Sequence, residues 1–241
     1  MPRKPRATYL GATHHVFVHA VARSTVATDS EDYERALHLL GHAVSRFKLE
    51  CHAWACMPNH THLLLTTPLG NISKAMHWFG MRTAQTFNRR HSRSGHLYQG
   101  RFESRLVESE KYLLELARYL PLNPVRAGLC SSPEAWPWSS YSATAGLVPR
   151  PWILNPGAFL ENLGSVDAYT AWVAGGLGAR YLDEHGLPSQ PARPSLSKVL
   201  HEDTDRAIAT AHFRHGYSQA AIARHLGVHP SQISRRLALH G

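Results

Sequence analysis

The sequence predicts an α+β fold, a ferredoxin-like antiparallel sheet with helices, and two observations lead to this class. Apolar patterns of period two and period 3.6 alternate along residues 14–120 in the order β-α-β-β-α-β-α. Two of the strands are separated only by Pro58-Asn59, a turn dipeptide. These strands therefore form a hairpin, and the sheet is at least partly antiparallel.

The first half of this pattern begins with a strand over residues 14–22, in which apolar side chains alternate between two faces. Acidic residues from Asp29 onward then begin a helix, because negative charge is favourable in a first helical turn. Two further strands follow over residues 49–57 and 60–66, on either side of the turn.

The second half contains a helix over residues 72–91, with an apolar stripe that includes Met76 and Phe79. Residues 96–107 are predicted as a strand pair or an extended loop. A helix from about Ser109 to Leu120 comes next. We expect it to end near Tyr119, because Pro121 has no N–H to donate and disfavours a helical residue before it.

The charge of the 241-residue chain is unevenly distributed. The formal net charge is +9, and 21 of the 26 basic residues are arginine. Residues 82–126 contain 9 basic and 4 acidic side chains, residues 127–205 contain 4 and 8, and residues 206–241 contain 5 and none. Two basic blocks on either side of an acidic segment indicate two separate contact surfaces for a polyanion, and arginine favours nucleic acid.

Several classes of protein are disfavoured by composition. The sequence contains no apolar run of 18 residues, so we expect no membrane span. The basic first residues are not followed by an apolar stretch, which disfavours a secretory signal. The three cysteines, Cys51, Cys56 and Cys130, include no C-x-x-C pair and favour reduced thiols in a cytosolic protein.

The sharpest local motif is His60-Thr61-His62, on the third predicted strand. Alternate residues of a strand share a face, so the two imidazoles would point together and Leu63 and Leu65 would point to the opposite face. Two histidines on a rigid strand can hold one divalent cation. Chance alone yields roughly one such pair in a chain this rich in histidine, so the motif needs its context.

Four sequence blocks supply that context. They are PNHTHLLL at 58–65, LYQGRFES at 97–104, YLLELARYLPLNPVRAGL at 112–129 and PEAWPWSSY at 133–141. In this order they resemble the REP-associated tyrosine transposases, a branch of the single-tyrosine HUH transposases. The resemblance covers residues 8–146 and implies a nuclease domain that acts on single-stranded DNA, with foldback hairpins as substrates.

The resemblance also implies roles for particular residues. Tyr119 corresponds to the nucleophile, His60 and His62 to the metal ligands, and Asn123 to a third ligand through its amide oxygen. The implied cofactor is Mg²⁺ or Mn²⁺, and the implied intermediate is a 5′-phosphotyrosine with a free 3′-hydroxyl. Tyr119 and Asn123 are four residues apart, the spacing of one helical face. Tyr112, two turns earlier, is the competing nucleophile.

The basic block at 82–126 is predicted to follow the DNA strand, with Phe87, Tyr98 and Phe102 as candidate stacking residues. The alternative is that these aromatic side chains are core and the arginines face solvent. The arginines assigned to DNA binding are Arg82, Arg89, Arg90, Arg101, Arg105, Arg118 and Arg126.

The last residues predict a helix-turn-helix. A helix ends at Gly227, and a second one begins near Pro230 with Ile233 and Leu237 on its apolar side. This second helix would read DNA through Gln232, Arg235 and Arg236, although a plain helical hairpin is the alternative. We therefore expect three parts: a transposase domain at 1–147, a connecting segment with helices and many prolines at 148–203, and the helix-turn-helix at 204–241.

Two other functions remain open from the sequence. One is a DNA-binding regulator that keeps the fold without catalysis, and the other is an HUH replication initiator or relaxase. Relaxases usually carry a third histidine in the metal set, and this strand offers only two. We expect a monomer or homodimer in the bacterial cytoplasm, associated with the nucleoid.

Overall fold

The computed structural model describes residues 9–21, 24–177, 194–202, 204–214, 217 and 219–238. Its four strands are β1 (Ala12–His19), β2 (Glu50–Cys56), β3 (His60–Thr67) and β4 (Glu103–Leu106). Its helices are α1 (Ser30–Phe47), α2 (Ile72–Arg90), α3 (Glu110–Arg126), α4 (Tyr141–Thr144), α5 (Gly157–Leu163), α6 (Val166–Ala174), α7 (Leu196–Val199), α8 (Asp205–Ala209), α9 (Gln219–Leu226) and α10 (Pro230–Ala238).

The sheet has the strand order β2-β3-β1-β4, and every neighbouring pair is antiparallel. This order and the β-α-β-β-α-β sequence of elements are those of the ferredoxin-like fold, so the predicted class is confirmed. The turn at Pro58-Asn59 is also confirmed, because the amide of Met57 donates to the carbonyl of His60 at 2.8 Å. Residue 22, the predicted end of the first strand, lies outside the described residues.

Helices cover both faces of this sheet. On one face, α1 and α2 bury an apolar cluster against alternate strand residues such as Val16, Leu63 and Leu65. On the other face, α3 packs on Phe17 and Leu64. Leu63, Leu64 and Leu65 of β3 therefore alternate between two cores, which explains why three consecutive residues of this strand are all apolar.

An ion cluster joins the start of α1 to the end of α2. Arg90 contacts the carboxylates of Asp29, Glu31 and Asp32 at 2.6–2.9 Å. Asp32 is buried and also accepts hydrogen bonds from Thr28. Burial alone would raise the pKa of the Asp32 carboxyl, but the hydrogen bonds from Thr28, His91 and Arg90 outweigh it and lower the pKa to about 2.

Helix α3 continues six residues beyond the predicted end at Leu120, so that prediction is wrong. Pro121 and Pro124 lie inside the helix, where each one costs about 3 kcal/mol in an isolated helix. Leu120 and Leu122 are fully buried, and burying one leucine contributes about 1.5–3 kcal/mol. Packing of this apolar segment against the sheet and its covering helices therefore offsets the broken backbone hydrogen bonds.

The segment after residue 147 includes two helices that pack on α3. Phe159 of α5 and Tyr169 and Val173 of α6 are buried in the same cluster as Leu116. The first part of the predicted connecting segment at 148–203, which contains α5 and α6, therefore packs as part of the same domain as α3 and the sheet. Residues 178–193 of that segment lie outside the described residues.

The C-terminal helices enclose a small core of their own. Ile208, Ile222, Ile233 and Leu237 are buried together, as the apolar pattern predicted for α9 and α10. Gly227 joins these two helices with φ +69°, a left-handed conformation that glycine adopts without strain. Within the described residues, no helix combines the length and the apolar character needed to cross a membrane.

We predict that Asp32→Asn lowers the free energy of unfolding by about 1–3 kcal/mol at neutral pH, because hydrogen bonds to a charged group are lost. The pKa of Asp32 in the folded protein lies below its ordinary value of 3.8. The contribution of the ionised Asp32 carboxylate to the free energy of unfolding is therefore present above about pH 4 and is lost as the pH falls toward about 2. Urea unfolding across this range measures the effect.

The matched control is Glu34→Gln, which removes an exposed carboxylate from the same helix. Its stability should stay close to that of the original protein. An Asp32→Asn defect that is equally large at about pH 7 and about pH 2 would contradict the role of the ionised carboxylate.

Candidate functional site

The register of β1 against β3 gathers histidines on the sheet face that α3 covers. His19 pairs with His60, and Phe17 pairs with His62. His15 lies on the same face, because it is two residues from Phe17 on β1. The prediction that His60 and His62 share a face opposite Leu63 and Leu65 is confirmed, since those leucines belong to the core under α1 and α2.

The imidazole rings are closely packed. The ring centroids of His60 and His62 are 4.7 Å apart with the planes nearly perpendicular, and His19 stacks on His60 at 5.2 Å. Ring nitrogens are also engaged: Nδ1 of His60 is 2.6 Å from Oδ1 of Asn59, and Nδ1 of His62 is 3.0 Å from Nε2 of His15. The pair is therefore held from both sides by the hairpin turn and by β1.

Burial keeps these rings neutral. It lowers the pKa of His60 to about 4, with a smaller contribution from the neighbouring His19. Burial likewise lowers the pKa of His62 well below its usual value, and the nearby His15 adds to this effect. Neutral imidazole is the form that binds a metal ion, so both side chains are in the ligating state at neutral pH.

Helix α3 places Tyr119 against this histidine face. The Tyr119 ring lies edge-on to His62 with centroids 5.5 Å apart, and Nδ2 of Asn123 donates to the Tyr119 hydroxyl at 3.3 Å. The predicted convergence of Tyr119 and Asn123 depends on α3 continuing through Pro121. Tyr112, the competing nucleophile, is 1% exposed inside the apolar cluster that includes Leu116.

The donor set suits a divalent cation only if solvent or substrate oxygens complete it. Among the described residues, no group of three or more His, Cys, Asp or Glu side chains is placed to hold a metal ion. The donors expected from the sequence are the imidazoles of His60 and His62 and the amide oxygen of Asn123, and Asn123 lies beside Tyr119 through its Nδ2. Two nitrogens and one amide oxygen fit a cation that keeps open positions for a phosphate.

The arginines of the basic block lie in different parts of the fold. Arg105 pairs with His15 across β1 and β4, and the Arg126 guanidinium is 5.9 Å from the centre of the Tyr119 ring. Arg82 and Arg89 are exposed on α2, on the opposite side of the sheet, and Arg101 is exposed before β4.

Arg90 and Arg118, two of the predicted DNA-binding arginines of the basic block, form ion pairs within the protein. Arg90 is held by the carboxylates at the start of α1. Arg118 is buried, forms an ion pair with Glu115 and lies over the Trp172 ring at 4.4 Å. A Cβ atom at Gly176 would come within 2.4 Å of the Arg118 side chain, so this glycine permits α6 and α3 to approach.

The candidate stacking residues are mainly core. Phe87 and Phe102 are buried, and Tyr98 packs against the same clusters. These aromatic side chains are therefore enclosed by the fold, as the alternative interpretation expected. The sequence did not identify His15 and Asn59 as residues of the site. Their contacts with the histidine pair follow from the strand register and from the geometry of the turn.

The helix-turn-helix residues lie on α10. Gln232 and Arg235 are exposed, whereas Arg236 forms an ion pair with Asp205 at the start of α8. Arg235 therefore offers an exposed cation on this helix, while Arg236 helps to join α10 to α8.

Comparisons with known proteins match the first half of the chain. Residues 8–121 match the family model described as "Transposase IS200 like". A REP-associated tyrosine transposase of Escherichia coli K12 is 26% identical over 121 residues, which are 47% of this chain and 71% of that protein. A putative REP-associated tyrosine transposase of Haemophilus influenzae is 28% identical over 123 residues, or 46% of this chain and 70% of that protein.

A solved structure shares the fold. It is a REP-associated tyrosine transposase bound to a REP hairpin, with a TM-score of 0.53 and 22% sequence identity. The similarity covers 65% of this chain and 93% of the solved one. The shared region is longer than the 47% of the chain covered by the sequence match to the Escherichia coli protein.

Proposed function

We propose that this protein cleaves and rejoins single-stranded DNA through a tyrosine nucleophile, and the match of residues 8–121 to the family model "Transposase IS200 like" supports the proposal. The observation that carries the proposal is the approach of Tyr119 to the His60–His62 pair, with ring centroids of Tyr119 and His62 5.5 Å apart. A hydroxyl nucleophile beside two neutral imidazoles matches the needs of phosphodiester cleavage.

We assign His60, His62 and the amide oxygen of Asn123 as the residues that would hold Mg²⁺ or Mn²⁺. A cation bound there supplies charge neutralisation at a non-bridging phosphate oxygen and makes phosphorus easier to attack. The protein's own contribution is the fixed spacing of the two imidazoles on β3, which limits the rearrangement needed for binding.

Asn123 and Arg126 are the polar side chains placed beside Tyr119. Tyrosine has an ordinary pKa of about 10 and is mostly protonated at neutral pH. Hydrogen bonding and nearby positive charge both stabilise a phenolate. Asn123 donates to the Tyr119 hydroxyl at 3.3 Å, and the Arg126 guanidinium is 5.9 Å from the ring centre.

In the proposed step, the Tyr119 hydroxyl loses its proton and its oxygen bonds to phosphorus. The bond from phosphorus to the 3′ oxygen breaks, and that oxygen takes up a proton as the free 3′-hydroxyl. The 5′-phosphotyrosine keeps the phosphoester linkage, so a second 3′-hydroxyl can reverse the step and join a new strand. Tyr119 is only 6% exposed, so access of DNA requires a local opening between α3 and the sheet.

We propose hairpin-forming single-stranded DNA as the substrate class. The matched solved protein is bound to a REP hairpin, and the two curated relatives carry the same REP-associated name. Around the site, Arg105 and Arg126 offer positive charge on the face that carries Tyr119. Arg101 is exposed before β4, whereas Arg82 and Arg89 are exposed on α2, on the opposite side of the sheet from Tyr119.

We predict that Tyr119→Phe abolishes a covalent protein–DNA adduct. Labelled hairpin oligonucleotides with single-stranded flanks are incubated with the protein and Mg²⁺ or Mn²⁺, then denatured in SDS and separated by electrophoresis. The adduct should form with the original protein and disappear in Tyr119→Phe, because the attacking oxygen is absent. His60→Ala should reduce it strongly by removing a ligand.

Tyr112→Phe is the matched control, since it removes a hydroxyl from the same helix. It should still form the adduct if it folds, and circular dichroism checks the fold. An adduct that persists in Tyr119→Phe would contradict the proposed nucleophile. No adduct on a range of hairpins would favour a DNA-binding regulator without catalysis.

We also propose that α10 contacts duplex DNA. Residues 206–241 contain five arginines and no acidic residue, and α9 and α10 share the compact core expected of a helix-turn-helix. Gln232 and Arg235 are exposed on α10, where they can approach base edges or phosphates. Arg236 forms an ion pair with Asp205 and would contribute positive charge near the phosphate backbone of the DNA.

We predict that Arg235→Ala weakens binding to a mixed-sequence duplex and lowers the slope of log affinity against log salt by about 1, as expected for one lost phosphate contact. Fluorescence anisotropy over a series of KCl concentrations measures both effects. Arg150→Ala removes an exposed arginine outside the two basic blocks and should leave the slope unchanged. Equal effects of the two substitutions would contradict the assignment.

A further inference from the structure

The proposed ligand His60 is hydrogen-bonded through the nitrogen that it does not need for a metal. Its Nδ1 is 2.6 Å from Oδ1 of Asn59 in the hairpin turn. An amide oxygen only accepts, so the proton of this hydrogen bond lies on Nδ1 of His60. In a neutral ring, Nε2 then carries the lone pair that can bind a cation.

His62 has a comparable contact with a residue of the neighbouring strand. Its Nδ1 is 3.0 Å from Nε2 of His15. In a hydrogen bond between two ring nitrogens, one ring donates and the other accepts. If His15 accepts, Nε2 of His62 has its lone pair available, as in His60.

Burying the polar ring of His15 destabilises the folded protein unless one of its ring nitrogens makes a useful contact. It is fully buried, and its Nδ1 has no hydrogen-bond partner among the residues that the structure describes. Leaving a buried polar atom unpaired costs about 1–3 kcal/mol. An apolar side chain could fill the same place beside Phe17 without that cost. The hydrogen bond to His62 is the observed contact that distinguishes histidine from such a residue.

We propose that Asn59 and His15 are positioning residues that accept hydrogen bonds from Nδ1 of His60 and His62, and so direct both Nε2 atoms to one divalent cation. This inference rests on the proposed metal site. Such partners commonly fix the protonation pattern and the ring orientation of metal-binding histidines. One partner comes from the turn before β3 and the other from β1, so each ring is fixed from a different element.

The first test does not require metal. Long-range ¹H–¹⁵N spectra of the metal-free protein at neutral pH identify which nitrogen of each histidine carries the proton, after assignment with His60→Gln and His62→Gln. We expect a proton on Nδ1 in both rings. A proton on Nε2 of His62 would mean that His15 donates, and it would overturn the proposed role of His15. The same result for His60 would overturn the role of Asn59.

The second test measures Mn²⁺ binding by the EPR signal of free Mn²⁺. His15→Leu and Asn59→Leu should each weaken Mn²⁺ binding by about 10–100-fold, because the ligand is no longer oriented. His15→Gln and Asn59→Asp keep an acceptor oxygen and should recover most of the affinity. Leucine variants that bind Mn²⁺ as well as the original protein would overturn the proposal.

His52→Leu is the matched control for loss of a buried histidine. His52 is buried on β2, where its ring nitrogens contact the carbonyl of Asn155 and the hydroxyl of Thr66. This variant should lose stability but keep its Mn²⁺ affinity. Equal losses of Mn²⁺ affinity in His52→Leu and His15→Leu would mean that general destabilisation causes both, and they would overturn the proposed role of His15. Absence of Mn²⁺ binding by the original protein would contradict the metal site itself, and the spectra of the metal-free protein would still test the hydrogen bonds.

Discussion

The antiparallel pairing of β1 with β3 is the constraint on which the candidate site depends. It sets Phe17 opposite His62 and His19 opposite His60, and it brings His15 within hydrogen-bonding distance of His62. A shift of one residue would turn every β1 side chain to the other face. The apolar core under α1 and α2 prevents such a shift, because Val16 and Val18 would leave it. The same register therefore sets the geometry of the candidate site and the packing of the core.

The residues that could be predicted from the sequence are those whose neighbours are local. His60 and His62 share a face because strands have period two, and Tyr119 and Asn123 meet because they are one helical turn apart. The end of α3 could not be predicted in this way. Pro121 opposes a helix locally, but the burial of Leu120 and Leu122 outweighs it. His15 was missed because it lies 47 residues from His62 in the chain, and only the register brings them together.

The distribution of basic residues along the sequence did not predict where their side chains lie in the fold. Residues 82–126 contain nine basic side chains, yet the fold places α2 and α3 on opposite faces of the sheet. Arg90 and Arg118 form ion pairs within the protein, whereas Arg105 and Arg126 lie near the histidine face. Helices α5 and α6, which belong to the acidic segment, pack on α3 in the buried cluster that also contains Tyr119.

We propose that the β1–β3 register and the continuous helix α3 together make Tyr119 the nucleophile beside His60 and His62. Mapping the covalent DNA–peptide adduct by mass spectrometry tests it most directly. After protease digestion and nuclease trimming, we expect a nucleotide linked through its 5′ phosphate to the Tyr119 side chain. A nucleotide on Tyr112, on another residue, or linked through a 3′ phosphate would contradict the account.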